Sequence, residues 1–202
     1  MLPRPVKAAV MLLGVLMTGH TASASPAPAS AQSAQQPVGG NAQQDAVYKA
    51  MAGAWVGALE YRDYSSNGRV LLPMILHIRK AKDVKSLTLH YIYDDGPTKV
   101  VEDFETATID SAASTYVTTS SDGKDVVTDT LTGLAGFAKT GQGQLVCMGK
   151  GQESGKLVSV RTTLTVAPTT LMILKETRLP GQPFLFRDQY TLTRVGPATT
   201  GH

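Results

Sequence analysis

The chain has 202 residues, 42% of them hydrophobic, which is typical of a globular protein with a packed core. Its 19 lysines and arginines stand against 16 acidic residues and form no cluster interleaved with aromatic side chains, which excludes the basic footprint of a nucleic-acid-binding domain. The single cysteine, Cys147, leaves no disulfide within the chain, so core packing must supply the stability.

The N-terminal segment has the pattern of a secretory signal. Arg4 and Lys7 precede an apolar run over residues 8–17, and small residues follow at positions 22–24. The run is about half of the roughly 20 residues that a membrane-spanning helix needs. We therefore predict a signal peptide over residues 1–24, with a second cleavage site open at 29–31. The mature chain is then expected to have no transmembrane segment and to be periplasmic or secreted.

A low-complexity spacer follows the signal. Residues 25–42 contain only Ala, Ser, Pro, Gln, Gly, Val and Asn, which bury too little apolar surface to offset the entropy of ordering. This composition predicts a disordered tether. A short helix over residues 42–51 comes next, with Val47 and Met51 on one side. The main domain is expected to span residues 43–196, and residues 197–202 to form a flexible tail.

From residue 55 onward the pattern is one of strands, rich in β-branched and aromatic residues and separated by turn residues such as Asn67-Gly68. Short turns between successive strands favour an antiparallel up-and-down barrel over a sandwich, because closure removes exposed sheet edges. The predicted fold class is all-β, a barrel of about 8–10 strands with a short N-terminal helix. The strands are predicted at 55–64, 70–79, 87–93, 99–109, 115–120, 126–132, 144–149, 156–166, 170–178 and 184–195.

One strand offers the candidate ligand-binding residues. Leu87, Leu89, Tyr91 and Tyr93 share one face of the strand over residues 87–93, and the residues between them share the other. Tyrosines inside a barrel need partners for their hydroxyls, which a ligand's polar end or a trapped water supplies. The alternative is that both hydroxyls reach solvent at the rim.

A short motif opens the first strand. Gly53-x-Trp55 follows a short helix, and in this position it resembles the signature of the lipocalin or calycin family. The resemblance implies a lipocalin-like barrel in which Trp55 plugs the closed end and Arg194, near the end of the last strand, stacks across it. Lipocalins usually have eight strands, although ten-stranded relatives exist in the wider calycin group. The alternative is that Trp55 is simply a core aromatic residue.

Neither a metal site nor a catalytic motif is apparent. His77 and His90 each stand alone on a strand, whereas a metal site needs three or four converging ligands. No cofactor is predicted; haem ligation by one of these histidines is the less favoured alternative. Cys147 has apolar neighbours, which predicts a buried, inert thiol.

The acidic residues of the middle strands are interpreted as structural and not catalytic. Asp103 and Glu105 share a face that Glu102 opposes, and a charged outer face explains this better than acid–base chemistry. Strands between residues 100 and 132 are rich in threonine and acid, whereas 71–93 and 158–174 carry apolar stripes. The barrel interior is thus expected to be apolar on one side and more polar on another, unless the middle strands extend past the core.

Three functional hypotheses follow, and fold alone cannot decide among them. The first is an exported barrel that binds a small, largely apolar or amphipathic molecule. The second is an envelope structural or interaction protein with a packed barrel and no ligand. The third is an enzyme of unknown reaction. We expect a monomer or a weak oligomer with no nucleic-acid partner, and the sequence does not indicate any protein partner.

Overall fold

The computed structural model describes residues 39–63, 66–82 and 85–196. The predicted signal peptide, most of the predicted tether and the predicted tail lie outside these residues. The first helix, α1, spans Gly39–Met51. It therefore begins three residues earlier than the sequence pattern indicates.

Ten antiparallel strands form a closed barrel in which each strand pairs with the next and β1 pairs with β10. This confirms the predicted fold class, an all-β up-and-down barrel with a short N-terminal helix. The strands are β1 (Gly53–Arg62), β2 (Arg69–Lys80), β3 (Leu87–Asp94), β4 (Val100–Asp110), β5 (Thr115–Ser120), β6 (Val126–Thr132), β7 (Gly143–Glu153), β8 (Lys156–Val166), β9 (Thr170–Arg178) and β10 (Leu185–Gly196).

The up-and-down order gives the barrel two different ends. The turns that follow β1, β3, β5, β7 and β9 lie together at what we call the upper end. Asn67 and Gly155 have φ values of 56° and 75°, the left-handed conformation that tight hairpin turns require. The opposite, lower end carries α1 and the longest connection, between β6 and β7.

A second helix, α2 (Leu134–Thr140), lies between β6 and β7 and is not predicted from the sequence. It has seven residues, too few for a helical period to stand out from the surrounding strand pattern. Gly133 and Gly141 bound it, both with positive φ. Phe137 and Leu134 of α2 are buried.

The two helices close the lower end of the barrel. Val47, Tyr48 and Met51 of α1 are fully buried against the core. The Tyr48 hydroxyl donates to the carbonyl of Lys85 at 2.9 Å and accepts from the backbone N–H of Ile109 at 3.0 Å. These two bonds fix α1 to the chain before β3 and to the end of β4.

Two local features of the sheet concern Pro73 in β2 and the length of β7. Pro73 lies in a β1–β2 ladder without a bulge, opposite Ala58, and the β2–β3 ladder begins one residue later at Met74. Its missing N–H therefore costs no hydrogen bond to β3. Strand β7 is longer than predicted and reaches Glu153. Among the described residues, no helix combines the length and the apolar character needed to cross a membrane.

Candidate functional site

The barrel interior is divided into two layers along its axis. The layer next to the helices, which we call the lower lumen, is filled by apolar side chains from every strand except β5. These side chains are buried and belong to one continuous core. They are Trp55, Leu76, Ile78, Leu87, Leu89, Ala107, Ile109, Leu131, Leu145, Leu164, Val166, Leu171 and Leu192.

Trp55 and Arg194 form the centre of the floor. The structure brings them together: the Arg194 guanidinium carbon lies 4.0 Å from the centroid of the Trp55 ring. The indole Nε1 of Trp55 donates to the Met51 carbonyl at 2.9 Å. Arg194 also donates to the carbonyls of Ala52, at 2.6 Å, and Pro168, at 2.8 Å. One arginine thus joins the end of α1, the floor tryptophan and the β8–β9 turn.

The geometry also explains why glycine stands two residues before the tryptophan. Gly53 has a φ of +152°, a conformation that residues with a side chain rarely adopt. A Cβ at this position would overlap the Nη1 atom of Arg194. The Gly-x-Trp spacing therefore follows from the space that the arginine occupies.

The upper lumen has a different character, with tyrosines, carboxylates and a lysine facing inward. Their orientation follows from the register, since Asp103 lies opposite Tyr91 and Lys175 lies opposite Asp188. We call these residues the lumen cluster. Its members are Tyr91, Tyr93, Asp103, Glu105, Tyr116, Asp129, Lys175, Asp188 and Tyr190.

Three tyrosines form one wall of the lumen cluster. The rings of Tyr91 and Tyr93 are parallel within 2° with centroids 6.1 Å apart, and Tyr190 lies 5.8 Å from Tyr91. The Tyr93 and Tyr190 hydroxyls are 3.3 Å apart, and Tyr91 donates to Glu105 Oε2 at 3.4 Å. Burial raises the pKa of all three tyrosines, so they remain protonated donors at neutral pH.

The carboxylates of the lumen cluster are placed in surroundings that disfavour their charge. Burial raises the pKa of Glu105, and the neighbouring Asp103 raises it further. Burial likewise raises the pKa of Asp129 and of Asp188. The Lys175 ammonium acts in the opposite direction on all three groups. Glu105, Asp129 and Asp188 lie on three different strands, so Lys175 interacts with them across the lumen.

Solvent reaches this layer. Lys175 faces the lumen by register and yet is exposed, and Glu105, Asp129 and Asp188 are half-buried. At the rim, a β-bulge in β10 between Phe186 and Asp188 inserts Arg187. Arg187 Nε lies 3.2 Å from Glu153 Oε1 of β7, three strands away in the barrel.

Cys147 lies at the boundary between the two layers, opposite Leu131 and Thr162. It is buried. Burial and the nearby Asp129 raise the pKa of its thiol to about 12. A thiol held protonated at neutral pH is a poor nucleophile, in keeping with the inert role that the sequence predicts.

The predicted site residues divide between the layers. Leu87 and Leu89 are packed into the lower lumen, with exposures of 0% and 3%. Tyr91 and Tyr93, at 8% and 3%, are buried in the same core and border the upper lumen. The assignment of Asp103 and Glu105 to a charged outer face is wrong. Both face the lumen, and only Glu102 of the three points outward, where it lies 2.7 Å from His90 Nε2.

The expected contrast between an apolar and a more polar side of the interior is accompanied in the structure by a change along the barrel axis. Strand β4 contributes Ala107 and Ile109 to the lower lumen and Asp103 and Glu105 to the upper lumen. Polarity therefore changes along the barrel axis as well as around it: Met74 of β2 and Val158 of β8 are buried apolar side chains in the upper half, whereas β5 contributes no buried side chain. The sequence shows which residues alternate along a strand. It does not show how far the packed core extends along the barrel axis.

The outer face of β2–β4 carries a second group of side chains. His90 stacks on Phe104 with centroids 4.0 Å apart, and His77 lies 6.0 Å from His90. Burial, Arg79 and His90 lower the pKa of His77. Phe104 and Ile75 are 46% and 38% exposed. Together they form an apolar and aromatic outer patch.

Two depressions lie on the outer surface. One, of about 270 Å³, is next to the outer patch and is lined by residues that include His77, His90 and Phe104. The other, of about 530 Å³, lies beside the β9–β10 turn and is lined by residues that include Leu157 and Arg178. The larger depression contains no residue of the lumen cluster. The largest surface volume and the densest group of polar side chains are therefore in different parts of the molecule. The lumen cluster is the candidate site, because converging polar groups distinguish a binding site from a surface groove.

Comparison with known protein families and with curated proteins finds no match to this chain.

Proposed function

We propose that this protein is an exported, calycin-like barrel that binds a small amphipathic molecule in its upper lumen. The observation that carries the proposal is the lumen cluster: inward-facing carboxylates and a lysine, partly open to solvent, and buried tyrosines stand above a packed floor. Tyr91 and Tyr93 are the proposed first contacts, with Tyr190 and Glu105 beside them. Leu87 and Leu89 form the floor below the ligand.

The energetic cost of the lumen cluster supports a binding role. Inward-facing carboxylates are partly desolvated and contribute unfavourably to folding, whereas apolar side chains at the same positions extend the core. A barrel that serves only as a scaffold has no need of such groups. A ligand recovers part of this cost, because its polar groups pair with the tyrosines and carboxylates. Its apolar part rests on Leu59 of β1 and Ile173 of β9, which are buried side chains of the core.

Export and family membership are supported at the level of residues. The signal-like segment before residue 25 supports a periplasmic or secreted location. The Gly53, Trp55 and Arg194 arrangement supports kinship with calycins, because the arginine lies over the tryptophan at the closed end of the barrel. N-terminal sequencing of the protein from its host tests the first point.

Native mass spectrometry of the protein purified from its host tests binding, since a carried ligand adds a discrete mass. A panel of fatty acids, isoprenoids, porphyrins and alkylamines, screened by melting temperature, provides the second readout. Thr162 and Thr163 offer a matched pair, because they are adjacent on β8 and face opposite sides. Thr162→Phe is expected to fill the upper lumen and abolish binding, and Thr163→Phe to leave it unchanged.

A bare chain mass together with no shift for any compound would overturn the binding function. Equal binding by both phenylalanine variants would place the ligand outside the lumen.

The second candidate is an interaction protein, and the outer patch is the observation that favours it. Under this hypothesis the lumen is empty of ligand and β2–β4 contact a protein through Phe104 and Ile75. Sedimentation velocity of the wild type and of Phe104→Asp tests whether the patch supports self-association. If the wild type and Phe104→Asp are both monomeric, the outer patch does not mediate self-association, and the lumen is the site that remains supported.

A further inference from the structure

The lumen cluster also indicates the charge of the ligand, and this inference rests on the proposed function. We propose that the upper lumen selects amphipathic molecules that carry a protonated amine, and disfavours carboxylates of the same size. The chemical class is a primary alkyl- or arylalkyl-ammonium ion. Three features support the inference: the negative balance of charge in the upper lumen, the tyrosine rings beside it, and the ammonium group of Lys175.

The balance of charge is negative. Asp103, Glu105, Asp129 and Asp188 face the lumen, and Lys175 lies among them. At the rim, Glu153 is paired with Arg187 and lies opposite Lys156 in the β7–β8 ladder, so this group adds no negative charge. An incoming carboxylate is therefore repelled by more charges than attract it, and an incoming cation is attracted.

The aromatic wall suits a cation as well. The ring centroid of Tyr91 lies 6.1 Å from that of Tyr93 and 5.8 Å from that of Tyr190. Tyr116 lies opposite Asp129 in the β5–β6 ladder. A ring face carries negative charge density, and an ammonium ion placed over it is stabilised most strongly where water is partly excluded. Carboxylates and aromatic faces in one enclosed volume form a site for an organic cation.

Lys175 supplies an independent observation. Its ammonium already interacts with Glu105, Asp129 and Asp188, which come from three separate strands. The lumen thus holds a primary ammonium on a flexible alkyl chain, which has the same chemistry as the proposed ligand. Because Lys175 is exposed, its side chain can move toward the rim when another cation enters. In this respect Lys175 is an internal competitor.

Calorimetric titration with three probes of equal chain length tests the proposal: n-octylammonium, 1-octanol and octanoate, at pH 7 and low salt. The expected order of affinity is octylammonium, then octanol, then octanoate, with at least about tenfold between the first two. The preference is expected to shrink at high salt, because screening weakens the attraction to the carboxylates.

Variants assign the preference to the cluster. Glu105→Gln and Asp188→Asn are each expected to weaken octylammonium binding on the order of tenfold, with little effect on octanol. Glu102→Gln is the matched control, since Glu102 lies on the same strand and faces outward. Lys175→Met removes the internal competitor and is expected to strengthen octylammonium binding.

Two results would overturn the inference while the proposed function stands: equal affinities for octylammonium and octanol, or a preference for octanoate. Displacement of octylammonium by calcium ion at lower concentration would also overturn it, because the cluster would then be a metal site. If none of the three probes binds and no carried ligand is found, the proposed function itself is wrong.

Discussion

The two layers of the lumen are built by the same ten strands and differ in almost every physical respect. In the lower lumen, apolar side chains fill the space and two helices cover the end, so the layer supplies stability. In the upper lumen, half-buried carboxylates and an exposed lysine lie beside buried tyrosines. An up-and-down barrel can thus separate stability from binding along its axis, because a strand such as β4 contributes Ala107 and Ile109 to the lower layer and Asp103 and Glu105 to the upper one.

The largest expected effect comes from the floor of the lower lumen. Trp55→Ala removes a fully buried ring and the surface on which Arg194 stacks. We expect a loss of about 3–5 kcal/mol in the free energy of unfolding, measured by urea titration. Val56→Ala, the next residue on β1 and 41% exposed, is the control and should cost less than about 1 kcal/mol. Similar losses for both variants would contradict a packed floor.

A smaller effect is expected at Gly53. Gly53→Ala introduces a Cβ where Arg194 lies and forces a backbone conformation unfavourable for alanine, at a cost of about 1–3 kcal/mol. Gly136→Ala is the matched control, because nothing lies within 4 Å of that position in α2. Alanine favours a helix there by up to about 1 kcal/mol. If both variants had the same melting temperature, the Gly53–Arg194 arrangement would not matter for stability.

The smallest expected effect concerns Cys147. It is an effect on the rate at which the thiol is alkylated and not on stability. Because burial and Asp129 raise the pKa of the thiol to about 12, the native protein should react with iodoacetamide at pH 8 on the order of a thousandfold more slowly than the urea-unfolded chain. Mass spectrometry of timed samples measures both rates. Comparable rates would mean that the boundary between the layers is open to reagents.

Most of the fold is predictable from the sequence, for physical reasons that particular residues show. Turn residues such as Asn67-Gly68 and the alternation at Leu87, Leu89, Tyr91 and Tyr93 are local signals, and they locate the strands and their faces. Helix α2 is missed because seven residues carry too little periodicity. Its burial depends on contacts with α1, which are not local.

The candidate site is less predictable than the fold. Alternation places Asp103 and Glu105 on one face, but it does not say whether that face is inside, because acidic residues are usually outside. The position of Lys175 relative to Glu105 and Asp129 depends on closure of the barrel across strands far apart in sequence. Only the three-dimensional register brings these residues into one cluster.

The central claim is that the upper lumen serves binding at a cost to folding, and stability as a function of pH tests it most directly. The pKa values of Glu105 and Asp188 are raised in the folded protein, so the native state binds protons more tightly than the unfolded chain. Stability due to these groups therefore falls as pH rises from the unfolded pKa through the raised values, and the cost is complete above them.

The measurement compares the unfolding free energies of ligand-free wild type, Glu105→Gln and Asp188→Asn between pH 4 and pH 8, with Glu102→Gln as the control. We expect both lumen variants to be more stable than the wild type at pH 7, the control to be unchanged, and the gain to disappear as pH falls toward the carboxylate pKa of the unfolded chain, about 4. Lumen variants that are less stable than the wild type at pH 7 would show that the carboxylates hold the fold together, and would contradict the claim.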